Sequence, residues 1–211
     1  MINAFGENYF RYMVFEDPSW DVLSGNADTA EKMAEKMAEE KTGRALNAID
    51  PDLRRFRARG GKLILYHGWN DPAIPAVNTI NYYNSVVAEM GASSAQNVIR
   101  LYMVPGMQHC FGGPGPSVLG QFGTKAGKGP EHGIYSALED WVEKATAPTA
   151  IIATKYLEDN PGKGVQMTRP VCTYPQIAKY KGTGDTNDSS SFVCTAEAAV
   201  SSTVSATGRN R

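Results

Sequence analysis

The chain has neither a long apolar run nor a block of like charge, and each absence excludes a class of protein. None of its apolar stretches approaches the roughly 20 consecutive residues that a membrane-spanning helix needs. Its 211 residues carry 21 lysines and arginines against 22 aspartates and glutamates, a formal net charge of -1, and the charges are dispersed. Because it has no basic footprint, we expect neither nucleic acid nor a membrane as a partner.

The start of the chain also lacks the features of a secretory leader. A leader has a basic start followed by an apolar core, whereas this chain begins MINAFGENYFRYMVF. If the chain is part of a longer protein, this says little about where that protein is located. The length of 211 residues suffices for one domain with a sizeable core.

Cysteine is scarce, and its number is odd: Cys110, Cys172 and Cys194. Cys172 and Cys194 lie in a turn-rich, polar C-terminal stretch. A bridge between them would close a loop of about 23 residues and stabilise the fold by roughly 3 kcal/mol. Cys110 would then be left over. A leftover cysteine in a secreted protein indicates a partner elsewhere, and we expect that partner in a part of the protein that this sequence does not contain.

Two apolar runs stand out, because each ends in a turn that carries a reactive side chain. KLILYHG leads into the turn with Asp71, and VIRLYMV leads into the turn with His109. A helical pattern follows each turn, so strand and helix alternate along the chain. This order predicts an α/β fold with parallel strands, in which functional side chains collect at the C-terminal ends of the strands.

The same patterns give approximate bounds for the elements. The first 22 or so residues are rich in aromatic side chains and are expected to be extended, and the small, polar tail after Cys194 is expected to be disordered. Strands are predicted over about 62–67, 98–104, 150–156 and 164–169, and helices over about 28–42, 76–90 and 131–146.

An acid followed along the chain by a histidine matches the last two places of the Ser, Asp, His order of α/β-hydrolases. A histidine that acts as general base needs a carboxylate on its other ring nitrogen, so Asp71 and His109 are the candidate catalytic pair. Each has a plainer alternative. Asp71 could simply begin an Asp-Pro turn, and His109 could bond a nearby carbonyl. His67 and Trp69 are candidates for lining the site, with a satisfied buried histidine as the alternative for His67.

The nucleophile of such a triad has no candidate in this sequence. It would sit in a G-x-S-x-G elbow after a strand, upstream of the acid. The serines before Asp71 are Ser19, in DPSWD, and Ser24, in VLSGN. Neither follows an apolar strand run or has the glycine spacing, so the sequence has the acid and the base of a triad without its nucleophile.

Four segments resemble one known family. GENYFRYMVFEDPSWD, GGKLILYHGWNDPAIP, PGMQHCFGGPGP and RPVCTYPQIAKYKGTGDTNDSSSFVC are similar to tannases and feruloyl esterases, over roughly residues 5–194. The resemblance implies a partial α/β-hydrolase fold, the C-terminal half of a parallel sheet with flanking helices. It makes residues 1–194 the C-terminal part of a catalytic domain and residues 195–211 a tail.

The resemblance also implies roles for single residues. Asp71 would be the triad acid and His109 the base, Cys172 and Cys194 would form the family's C-terminal bridge, and Cys110 would be half of a disulfide that joins the histidine loop to a cysteine beside the serine. That serine and cysteine, the oxyanion donors and most of the lid with its calcium site have no counterpart here. We therefore expect no cofactor in this chain, and the missing N-terminal half of the domain as its partner.

The function that the resemblance implies is a secreted or periplasmic serine-type carboxylic ester hydrolase. Its substrate would be a small ester of a phenolic acid such as gallate or ferulate, and this chain would supply the aspartate and the histidine. The alternative is a catalytically inactive, truncated fragment or a non-enzymatic binding module.

Overall fold

The computed structural model describes residues 2–21, 23, 27–40, 47–124, 127 and 129–196. The chain forms two compact units, Met1–Asp50 and Pro51–Arg211. In the first unit, helix α1 spans Ile2–Tyr9 and continues as a π-helical turn over Phe10–Val14, and helix α2 spans Ala27–Glu40. Helix α2 confirms the helix predicted from residue 28, and the last two residues of that prediction lie outside the described residues.

The aromatic start of the chain is helical over residues 2–14, so the prediction of an extended segment is wrong there. Aromatic residues favour strands when nothing else decides. Here the rings of Phe10 and Phe15 each lie 5.2 Å from the ring of Trp20, and the Nε of Arg11 donates to the Trp20 carbonyl at 2.6 Å. Packing among the rings therefore overrides the local preference.

The second unit is organised around two parallel strands. Strand β1 spans Leu63–Gly68 and strand β2 spans Ile99–Val104, paired in register from Leu63–Ile99 to Gly68–Val104. Both strands agree with the predicted bounds to within one residue. Because parallel strands end at the same edge, the loops that follow β1 and β2 leave the sheet side by side.

Helices connect and flank this pair. A short helix α3, Arg54–Ala58, precedes β1, and helices α4, Ala76–Met90, and α5, Ala92–Gln96, connect β1 to β2. Helix α4 has the predicted bounds. Helix α6 spans Ile134–Glu143 and is shorter than predicted at both ends: residues 130–132 form a 3₁₀ turn before it, and Lys144 is its C-cap.

The side chains of β1 alternate between two apolar clusters. Leu63 and Leu65 pack against the cluster of α4 and α5, and Ile64 and Tyr66 pack against the other cluster. Each fully buried aliphatic side chain contributes roughly 1.5–3 kcal/mol, so both faces of the pair are held. The first cluster contains Val86, Met90, Ala95, Val98 and Ile99; the second contains Tyr102, Val104, Met107, Leu119, Ile134, Ala137, Ile151, Ala153 and Val171.

Two antiparallel pairs complete the unit. Strand β3, Ala150–Tyr156, pairs with β4, Val165–Cys172, and strand β5, Gln176–Tyr180, pairs with β6, Phe192–Ala196. The first pair confirms the two predicted short strands. The second pair lies in the stretch that the sequence analysis describes as turn-rich. Its strands have five residues each and show no clear alternation, so no strand is predicted there.

The Cys172–Cys194 disulfide joins the two antiparallel pairs. Cys172 ends β4 and Cys194 lies in β6, with their Cα atoms 5.6 Å apart, and Cys110 is a free thiol. Strand β6 reaches Ala196, and the remainder of the predicted disordered tail lies outside the described residues. In the part of the chain that the structure describes, no helix is long and apolar enough to cross a membrane.

Replacing both Cys172 and Cys194 by alanine should lower the free energy of unfolding by about 3 kcal/mol, since the bridge closes a loop of some 20 residues and limits the unfolded chain. Denaturant unfolding measures the change. Cys110→Ala is the matched control, because Cys110 forms no bridge, and it should cost much less. An equal loss in both variants would contradict a stabilising role for the bridge.

Candidate active site

Asp71 lies in the loop after β1, and both of its carboxylate oxygens form hydrogen bonds. Oδ1 accepts the backbone N–H groups of Ala73 and Ile74 at 2.8 and 2.9 Å. Oδ2 faces His109, whose Nδ1 lies 2.8 Å away. The two alternatives for Asp71 are thus compatible, because one oxygen stabilises the turn while the other contacts the imidazole.

His109 is oriented by this contact and is otherwise open. Its side chain is 54% exposed, whereas that of Asp71 is 2% exposed. Among the residues that the structure describes, none bonds the Nε2 of His109, so this nitrogen faces outward. A histidine with one nitrogen on a buried carboxylate and the other free has the arrangement of a general base.

The two loops are connected through their backbones at Gly68. The amides of Trp69 and Asn70 donate to the carbonyls of Val104 and Met107, each at 3.0 Å. A Cβ at position 68 would lie 2.2 Å from the Met107 carbonyl oxygen and 2.4 Å from that of Gln108. Glycine at this position is therefore what permits the approach of the acid loop to the histidine loop.

The loop with His109 is held from within by a buried amide that the sequence analysis missed. Gln121 is 1% exposed. Its Nε2 donates to the carbonyls of Cys110 and Ser117 at 3.2 and 2.6 Å, and its Oε1 accepts the amide of Leu119 at 2.7 Å. No spacing or motif singles out this glutamine, because its partners are backbone groups of a glycine-rich loop.

Cys110 follows His109 with a left-handed backbone, φ 65°, which costs energy for a residue other than glycine. The bond from Gln121 to its carbonyl helps to hold this conformation. Burial, and then the negative charge of Asp71, raise the pKa of the Cys110 thiol. The thiol is therefore a poor nucleophile in this setting.

The Asp71 carboxyl is strongly biased towards its charged form. Burial acts to raise its pKa, but the donors outweigh that effect: the amide of Ile74, the ring of His109 and the amide of Ala73. They lower the pKa from 3.8 to about 2. Asp71 is therefore ionised throughout the neutral range and can stabilise an imidazolium at His109.

Of the two residues predicted to line the site, His67 contacts the acid, whereas Trp69 lines a cavity whose walls include neither Asp71 nor His109. The Nε2 of His67 is 3.1 Å from the Oδ2 of Asp71. Trp69 is 48% exposed and lines a cavity of about 490 Å³, together with Met103, Arg169 and Phe192. His67 thus combines the two alternatives of the sequence analysis, since it is a partly buried, hydrogen-bonded histidine that also touches the acid.

Among the residues that the structure describes, no serine hydrogen-bonds either member of this pair. Ser19 is exposed in a turn, where its hydroxyl donates to Asp17 at 2.6 Å, and Ser24 lies outside the described residues. Within the described ranges, no group of three or more histidine, cysteine, aspartate and glutamate side chains could hold a metal ion.

An acid and a histidine on adjacent loops, at the ends of parallel strands, define the α/β-hydrolase class. The chain belongs to the tannase and feruloyl esterase family, whose model matches residues 1–195. The crystal structure of feruloyl esterase B from Aspergillus oryzae is similar to it with a TM-score of 0.77 and 30% identity, over 90% of this chain and 36% of that one.

Two curated proteins are similar to the chain over part of their length. An uncharacterised esterase of Xanthomonas campestris is 41% identical over 204 residues, 88% of this chain and 35% of its own length. The mono(2-hydroxyethyl) terephthalate hydrolase of Piscinibacter sakaiensis is 42% identical over 149 residues, 71% of this chain and 22% of its own length. The chain spans about a third of the length of the curated feruloyl esterases it matches.

Gly68→Ala should separate the two loops, because its Cβ would meet two backbone carbonyls. We expect a loss of about 1–3 kcal/mol in the free energy of unfolding and a weaker Asp71–His109 hydrogen bond by NMR. Gly133→Ala is the matched control, since the nearest atom to its Cβ is 3.6 Å away. Equal behaviour of the two variants would show that the approach at Gly68 is not tight.

The low pKa of Asp71 predicts a pH-dependent contribution to stability. The folded state binds its proton less readily than the unfolded state, so the contribution is present above pH 3.8 and is lost as the pH falls to about 2. Its size is about 2 kcal/mol. Asp71→Asn should flatten the unfolding free energy over this range, whereas Asp188→Asn, in an exposed turn, should change it much less. The same slope in wild type and Asp71→Asn would refute the assignment.

Proposed function

We propose that this chain provides the acid and the base of a serine-type carboxylic ester hydrolase. The observation that supports this is the 2.8 Å contact between the Oδ2 of Asp71 and the Nδ1 of His109, with Nε2 open. The serine would come from a segment outside this chain. The bonds that hold Asp71 and His109 do not involve such a segment, so the pair is preformed.

The reaction assigns a proton transfer to each residue. The Nε2 of His109 takes the serine hydroxyl proton while the oxygen attacks the ester carbonyl, and the resulting imidazolium is stabilised by Asp71. His109 then gives that proton to the departing alkoxide, which leaves as the alcohol. Water, activated by the same nitrogen, hydrolyses the acyl-serine and releases the acid.

The substrate class follows from the family and from the names of relatives. Feruloyl and mono(2-hydroxyethyl) terephthalate hydrolases act, by their names, on esters of aromatic acids. We extend this to a small ester of a phenolic acid such as gallate or ferulate.

Cys110 has a proposed role that the free thiol supports. It directly follows the base and has no disulfide partner among the described cysteines. A bond from Cys110 to a cysteine beside the serine would join the nucleophile loop to the histidine loop. Such a bond requires an oxidising location, which agrees with a secreted or periplasmic protein.

A non-catalytic fragment is the second candidate, and one observation favours it: no described serine hydrogen-bonds the Nε2 of His109. An acid–base pair without a nucleophile has nothing to deprotonate, and oxyanion donors are each worth about 3 kcal/mol in other enzymes. The esterase activity of the isolated chain and that of the completed domain therefore have to be measured separately.

The isolated chain should hydrolyse methyl ferulate and methyl gallate no faster than its His109→Gln variant. The completing segment can be supplied by a chimera, in which this chain replaces the matching third of the Xanthomonas esterase. We expect the chimera to be active, and Asp71→Asn or His109→Gln to lower kcat by at least about 10³-fold.

His132→Gln is the matched control, because His132 is the third histidine of the chain and lies in a separate turn. It should leave the chimera's kcat within about twofold. An active chimera that tolerates His109→Gln would refute the role of the pair. Activity of the isolated chain above its His109→Gln variant would show that the chain holds a nucleophile of its own.

A further inference from the structure

His67 continues the row of β1 side chains that faces helix α4. Leu63 and Leu65, the preceding members of that row, pack in the apolar cluster of α4 and α5. His67 places an imidazole where the alternation calls for an apolar side chain. The side chain is 11% exposed, so its polar atoms need partners inside the protein.

Both ring nitrogens of His67 have such partners. Nδ1 lies 2.7 Å from the hydroxyl oxygen of Thr79, in the first turn of α4. Nε2 lies 3.1 Å from the Oδ2 of Asp71 and 3.2 Å from the carbonyl oxygen of Ile74. The Ile74 carbonyl oxygen can only accept a hydrogen bond, and so can the ionised carboxylate of Asp71. Nε2 must therefore carry the hydrogen. The Thr79 hydroxyl can then donate to Nδ1, which satisfies a neutral ring.

The carboxylate of Asp71 has three hydrogen bonds and, in addition, the Nε2 of His67 at 3.1 Å from Oδ2. Two backbone amides bind Oδ1 and fix the carboxylate plane. Oδ2 has two imidazole nitrogens near it, the Nδ1 of His109 at 2.8 Å and the Nε2 of His67 at 3.1 Å. In the described part of the chain, no lysine or arginine pairs with this carboxylate, so these two rings are the groups that can act on the charge of Oδ2.

We propose that His67 is a positioning residue that acts through Asp71: held by Thr79, its neutral ring donates the Nε2 hydrogen to Oδ2 and shares that oxygen with His109. The importance of this for catalysis rests on the proposed function. Since the amides on Oδ1 already fix the plane, the role left to His67 is to moderate the strength of the Asp71–His109 hydrogen bond.

The sign of one spectroscopic change separates this role from simple packing. If His67 shares Oδ2, removing its N–H concentrates the charge on the bond to His109. That bond should then become stronger, and its proton should move downfield in the NMR spectrum. If His67 merely holds the carboxylate in place, its removal should loosen the bond and move the proton upfield, or lose it to exchange with water.

The test uses the full 211-residue chain labelled with ¹⁵N-histidine. In the wild type, we expect His67 as one neutral tautomer, with hydrogen on Nε2. His67→Leu, which keeps the volume and removes the donor, should move the His109 Nδ1 proton downfield. His67→Gln, which keeps a neutral donor near the position of Nε2, should restore the wild-type signal, and Thr79→Val should shift the Nδ1 resonance of His67. His132→Gln is the control and should leave these signals unchanged.

Hydrogen on Nδ1 of a neutral His67 would overturn the proposal, and this measurement needs no variant. An upfield, absent or unchanged His109 signal in a folded His67→Leu chain would overturn it as well, and so would a His67→Gln chain that resembles His67→Leu. None of these readouts depends on ester turnover. An inactive chimera with the expected spectra would therefore refute the proposed function alone, and an active chimera without them would refute the role of His67 alone.

Discussion

The close approach of two backbone segments at Gly68 governs the geometry of the candidate site. Strands β1 and β2 end in register at Gly68 and Val104, and the absence of a side chain at position 68 lets the acid loop lie against the Met107 and Gln108 carbonyls. Backbone hydrogen bonds from Trp69 and Asn70 then connect the loops. Side-chain contact between Asp71 and His109 is a consequence of this backbone arrangement.

The two carboxylate oxygens of Asp71 have different roles: one stabilises the turn, and the other contacts the candidate base. Oδ1 accepts two amides of its own turn, whereas Oδ2 is hydrogen-bonded to His109 and has the Nε2 of His67 3.1 Å away. In the described part of the chain, these contacts keep a nearly inaccessible carboxylate charged without a lysine or arginine beside it. They also leave His109 half-exposed, as a group must be if it is to exchange protons with a substrate.

The loop that carries His109 is stabilised by hydrogen bonds from other parts of the second unit. Gln121 satisfies three backbone groups within the loop, and Lys155 of β3 donates to the Gly113 carbonyl at 2.7 Å. The Cys172–Cys194 bridge then ties β4, the partner of β3, to the β5–β6 hairpin. The loop that carries the candidate base is thereby linked to all three strand pairs of the unit.

The sequence by itself determined the parallel pair, helix α4 and the candidacy of Asp71 and His109, because apolar periodicity and the order of acid and histidine are local signals. It failed for residues 2–14, where ring packing overrides aromatic strand preference. The tertiary structure alone decided that His67 and His109 lie 3.1 and 2.8 Å from Oδ2 and that Gln121 binds three backbone groups of the histidine loop. These contacts join groups on separate elements, and no spacing along the chain encodes which donors meet an oxygen once the backbones have packed.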